Sequence, residues 1–167
     1  MFSSLTRKWT ATSGDSPKRD LRGLRAICEI ISRFDVIAIQ EVMGDLRALR
    51  DMMDFFGSDW SFLMTDVTLG AAGHNERMAF VFDNTRVKPS GLACELVVPP
   101  EWLSEIAEDA LHTQFARTPY AVSFRCEDTT FILVALHVKY GESSADRVAE
   151  LKGITQSVKD IPFDLNR

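Results

Sequence analysis

The chain has 167 residues, of which 46% are hydrophobic and 26% charged, and its formal net charge is −5. That length suffices for one domain with a real core and excludes two comfortable ones. The acidic total argues against nucleic-acid binding by bulk charge, although a local basic patch is compatible with it. Cys28, Cys94 and Cys126 are widely spaced, odd in number and form no CxxC motif. They read as reduced residues of an intracellular protein, not as a disulfide framework or a zinc site. No apolar stretch reaches membrane-spanning length, and Met1–Trp9 lacks the apolar core of a signal peptide. A cytoplasmic protein with no membrane association is expected.

Residues 1–15 are Ser/Thr-rich and read as a loop anchored by Trp9. Ser16 and Pro17 then open a helix as N-cap and first helical residue, where the missing proline N–H costs nothing. Leu21, Leu24, Ile27, Ile30, Ile31 and Phe34 recur at helical spacing and predict one apolar stripe. Val36–Ile39 is a continuous, β-branched run, the pattern of a central strand buried on both faces. It ends on Gln40-Glu41, at the carboxyl end of a strand, where open α/β sheets place their ligands.

A second helix follows Gly44-Asp45, with Leu46, Leu49, Met52, Met53 and Phe56 on one face and Gly57 as its stop. Trp60–Met64 and Arg77–Phe82 read as strands, joined by the flexible loop Gly70–Asn75. Pro89–Gly91 is expected to interrupt the next extended segment, which resumes at Cys94–Val98. Pro99-Pro100 starts a short helix through Leu111. Tyr120–Arg125 alternates like a strand with one wet face, and Glu127-Asp128 turns it into Phe131–Leu136, a second fully buried strand. A last helix carries Val148, Leu151, Ile154 and Val158. Helices at both ends with several consecutive strands between them favour two packed sheets over a βαβαβ alternation.

Four polar residues stand where strands meet loops. Glu41 and His137 each terminate a predicted strand, Glu76 precedes one, and Arg117 lies in Phe115-Ala-Arg-Thr-Pro119 before another. A carboxylate for a hard cation, an imidazole for proton transfer and an arginine for anion contact are what phosphoester hydrolysis requires. Singly, each has a plainer reading. Glu41 is then a solvated loop residue, His137 a core-edge histidine, Arg117 a surface ion-pair partner, and Glu76 a loop carboxylate paired with Arg77.

Taken in order, Ile39-Gln-Glu41, Asn75–Phe82, Phe115–Pro119 and Leu136-His137 resemble the deoxyribonuclease I-like endonuclease/exonuclease/phosphatase family. The resemblance runs from about residue 16 to residue 158. It implies an α+β fold, a four-layer αββα sandwich, and phosphoester hydrolysis dependent on Mg²⁺ or Mn²⁺. By the same resemblance Glu41 is the metal ligand, and His137 contacts the scissile phosphate and serves the leaving group. Glu76 orients that histidine, and Arg117 lies along the substrate phosphates. Glu76 beside Arg77 tilts the substrate toward DNA or another nucleic acid.

Two family features have no counterpart. Residues 1–15 contain nothing like the family's first strand with its asparagine, and Asp164-Leu-Asn166 lacks the buried strand and glycine of the later Gly-Asp-x-Asn motif. The domain over residues 16–160 is therefore expected to be incomplete, with residues 161–167 as a tail. Exposed sheet edges and self-association would follow. A catalytically dead remnant acting as a binding or oligomerising module is the alternative to a hydrolase.

Overall fold

A computed structural model describes residues 21–67, 76–97, 117–138 and 145–159. The proposed N-terminal loop, the Ser16-Pro17 cap, the helix after Pro99-Pro100 and the C-terminal tail lie outside these residues. The chain divides into two compact units. The first holds the described residues up to Val67 and from Glu76 to Lys88, and the second holds those from Pro89 onward.

The first unit begins with α1 (Leu21–Ile31), β1 (Val36–Met43) and α2 (Arg47–Phe56), followed by β2 (Trp60–Met64) and β3 (Glu76–Asp83). Its sheet has the order β1-β3-β2, with β3 antiparallel to both neighbours. The expected central position of β1 is thus corrected. Among the described residues β1 pairs only with β3, and Ala38 in its middle is exposed. The strand enclosed on both faces is β3, where Met78 to Phe82 are all buried.

Leu24, Cys28 and Ile31 of α1 pack with Ala48, Leu49 and Met52 of α2 against Ile39, Val42, Ala79 and Val81. The α1 stripe is narrower than its spacing predicts. Ile30 and Phe34 are 61% and 55% exposed, because the helix stops at Ile31 and the buried line passes through Cys28. Gly57 closes α2 as expected. It adopts a φ of 77°, which costs a residue without Cβ little, and its N–H donates to the Met53 carbonyl at 2.9 Å.

Cys28 has no exposed surface, and burial pushes its thiol up to about 11. Unfolded, the thiol loses its proton near 9.0. Stability from this site is complete below that pH and is lost as the pH rises toward 11, since the unfolded chain binds fewer protons in that window. Wild-type protein should therefore lose roughly 2–3 kcal/mol more than Cys28→Ala across this interval, measured by urea denaturation at both ends.

The second unit contains β4 (Lys88–Glu95, its first residue contributed by the first unit), β5 (Tyr120–Cys126), β6 (Thr129–Ala135) and α3 (Ala145–Lys159). Its sheet has the order β4-β5-β6. The strand β4 runs unbroken through Pro89 and Gly91, contrary to the expected interruption. An edge place explains this: among the described residues β4 pairs only with β5, so a proline without an N–H is tolerated.

The expected exposures of β5 and β6 are reversed. Tyr120 to Phe124 are buried on both faces because β5 is central, whereas β6 is mostly half-buried beside it. The turn at Glu127-Asp128 forms as predicted, with Glu127 at a φ of 51°. In α3 only Ile154 of the predicted stripe is buried, while Val148, Leu151 and Val158 are exposed. No helix among the described residues is long and apolar enough to cross a membrane.

Candidate active-site elements

Glu41 does not follow a strand; it lies inside one. The register runs Ile39↔Ala79 and then Val42↔Arg77, so Gln40 and Glu41 together oppose Met78. This is a β-bulge, and Glu41 occupies its left-handed conformation with a φ of 59°. Simple alternation would put Glu41 in the row of Ile37 and Ile39, which packs beneath the helices. The extra residue hands that place to Val42, which joins the buried cluster, and removes the carboxylate from it. A non-glycine residue held in this region costs on the order of 1–3 kcal/mol, so the bulge is maintained against a local preference.

Glu76 is the first residue of β3 and pairs with Met43, two residues beyond Glu41. The two carboxylates, both half-buried, therefore belong to one end of the first sheet. At that end Asp45 accepts from the Arg47 backbone N–H at 3.1 Å and from its guanidinium at 2.6 and 2.9 Å. The hydrogen-bonded Arg47 side chain holds the Asp45 carboxyl below its usual range.

The other two predicted residues share an end of the second sheet. Tyr120 and Ala135 are register partners; Arg117 lies three residues before the first and His137 two residues after the second. Pro119 fixes the entry into β5, as expected. It is fully buried, and its carbonyl accepts from the Leu96 N–H at 2.8 Å. Arg117 and His137 are half-buried, and the Nδ1 atom of His137 is enclosed. Burial, with Glu95 and Cys94 adding to it, raises Tyr120 above the ordinary phenol range, so its hydroxyl stays protonated at neutral pH.

Each unit thus brings together one predicted pair: two carboxylates in the first, an arginine and an imidazole in the second. Among the described residues no group of three or more His, Cys, Asp or Glu side chains is arranged to hold a metal ion. One residue of the first site's neighbourhood was read from the sequence only as a partner for Glu76. Arg77 stands in the buried row Arg77, Ala79, Val81, and a charge in such a row is the signal that marks it.

No family model matches the chain. In sequence it is 32% identical over 134 residues to a deoxyribonuclease from Thioalkalivibrio sp. (strain K90mix), a match covering 77% of this chain and 34% of that protein. It is 26% identical over 143 residues to deoxyribonuclease-1 of Bos taurus, covering 81% of this chain and 46% of that protein. The chain therefore spans about a third to a half of the length of these curated relatives.

Among solved structures, the endonuclease/exonuclease/phosphatase from Bacteroides vulgatus superposes with a TM-score of 0.60 at 14% identity, covering 90% of this chain and 57% of that one. A functionally unknown conserved protein from Enterococcus faecalis V583 gives a TM-score of 0.57 at 17% identity, covering 84% and 54%. At such identities the likeness carries the fold, which is α+β as the motifs predict.

Proposed function

The chain belongs to the deoxyribonuclease I-like endonuclease/exonuclease/phosphatase family, and from that premise we propose that it serves metal-dependent cleavage of phosphodiesters in nucleic acid. The observation that carries the reading is the pairing within each unit. Glu41 and Glu76 share one end of the first sheet, and Arg117 and His137 share one end of the second.

Glu41 would hold the metal. A half-buried carboxylate set on a bulge is a hard oxygen donor, and Mg²⁺ commonly takes one or two protein carboxylates with water and substrate phosphate completing its shell. This donor set suits Mg²⁺ or Mn²⁺. When bound, such an ion neutralises charge on the phosphoryl oxygens. His137 contacts the scissile phosphate and moves a proton to the leaving oxygen. Glu76 serves as a second catalytic carboxylate of the first unit, and Arg117 binds a substrate phosphate through its planar fork of N–H donors.

Relaxation of supercoiled plasmid tests the assignment. Nicking should require Mg²⁺ or Mn²⁺, stop with EDTA, and disappear in Glu41→Ala. Undiminished nicking by Glu41→Ala would remove Glu41 from the metal site.

A further inference from the structure

Met78 is the residue of β3 that faces the bulge. Gln40 and Glu41 stand opposite it on the β1 side, where the register between the two strands is interrupted. On the other side of β3 lies β2. Its register runs to Met64↔Ala79, so Thr65, one residue past the end of β2, is next in line for Met78. In a regular antiparallel pair of this kind each residue's N–H donates to the other's carbonyl. Here the exchange is half backbone and half side chain. The Thr65 N–H donates to the Met78 carbonyl at 2.9 Å, whereas the Met78 N–H donates to the Thr65 hydroxyl at 3.0 Å. Both residues are buried, and a buried N–H that loses its acceptor bears the full cost of its desolvation.

Where this clasp sits gives it a chemical consequence. Glu41 is held at a φ of 59°, against its local preference, beside a ladder that is broken at the bulge. The broken ladder weakens the hold of β1 on β3 at that level, and Thr65 fixes β3 there from the opposite side. Glu76 lies two residues before Met78 on the same strand, past the last β2 residue in the register. One hydroxyl therefore sets the level of the strand that both carboxylates depend on.

We propose that Thr65 is a positioning residue for Glu41 and Glu76: its hydroxyl clasps Met78, and Met78 backs the bulge. This deepens the metal assignment of Glu41 and rests on it, while the backbone of Glu41 reports on the clasp whether or not a metal binds. Valine has the shape of threonine without the acceptor, and serine has the acceptor without the methyl group.

NMR of the full chain in EDTA, on wild type, Thr65→Val and Thr65→Ser, tests the clasp. In wild type the Met78 amide should exchange as slowly as that of Val81, in the enclosed middle of β3. Thr65→Val should speed Met78 exchange relative to Val81 by about tenfold. It should also shift the Glu41 amide resonance and its φ-dependent HN–Hα coupling, and Thr65→Ser should restore all three. Titration with Mn²⁺, the free ion followed by EPR, is the second arm. The Kd should rise about tenfold in Thr65→Val and return toward wild type in Thr65→Ser. A wild-type Met78 amide that exchanges as freely as an exposed turn amide would overturn the proposal, even if Thr65→Val fails to fold. So would a Thr65→Val protein whose Tm falls while its Glu41 signals and Kd stay those of wild type, the result expected of a merely structural hydroxyl. A wild type that binds no Mn²⁺ would remove the metal reading, and the Glu41 resonances would still decide the role of Thr65.

Discussion

Replacing His137 with alanine should reduce the rate of the proposed Mg²⁺-dependent phosphodiester cleavage by about 10²–10⁴-fold, the usual contribution of a positioned proton donor or acceptor. The loss should fall on kcat with little change in KM, since proton movement matters in the transition state and not in ground-state binding. Folding should survive. His137 lies two residues past the end of β6 and is only half-buried, so its ring is not a principal part of the core. Glu76→Gln gives the companion result. Given the proposed catalytic role of Glu76, the substitution should lower kcat and displace the pH–rate profile, which a purely structural residue would leave in place. Single-turnover rates on a labelled duplex, with thermal melts of each variant as the folding control, measure both. A His137→Ala rate within about threefold of wild type would take His137 out of the chemistry.

The largest expected effect on stability is at Phe124. It has no exposed surface and lies in the central strand of the second sheet, where its register partner on β6 is Phe131. The two rings lie 6.1 Å apart, centroid to centroid, with an interplanar angle of 30°. Phe124→Ala removes a ring from a position enclosed by both neighbouring strands and should destabilise the fold by about 3–5 kcal/mol, loss of transfer energy and the remaining cavity acting together. Phe124→Leu should cost less, because it keeps most of the volume. Arg125→Ala, one residue along but exposed, should stay within about 0.5 kcal/mol of wild type. Urea denaturation at neutral pH separates the three.

How much of this was legible in the amino-acid order depended on range. Local signals held: Gly57 stops α2, Glu127-Asp128 turns β5 into β6, and Pro119 sets the entry to β5. Each rests on backbone chemistry within a few residues. What failed was the place of each strand in its sheet. Val36–Ile39 is as apolar as a central strand, yet β1 lies beside β3 alone among the described residues. Tyr120–Phe124 alternates, yet β5 is enclosed by β4 and β6. Neighbours are assigned by pairing across long sequence separations, and no short window contains that information. Of the candidate residues, Glu76 opens β3 and His137 follows β6, both local placements, whereas the interior bulge position of Glu41 depends on pairing with β3.

The bulge was legible in part. Ile37, Ile39 and Val42 all pack in or against one cluster, and a step of two followed by a step of three betrays an inserted residue. That offset makes the chemistry of the first unit depend on counting as much as on composition. Excision of Gln40 alone would restore a regular pleat, with Glu41 opposite Met78 and turned to the face away from the helices, while Val42 keeps its place in the oily row. Every acidic and basic group named above would still be present, but Glu41 would lose the left-handed backbone that sets the direction of its carboxylate. The number of residues between Ile39 and Val42 thus sets the direction of the Glu41 carboxylate, whichever side chain stands at position 40.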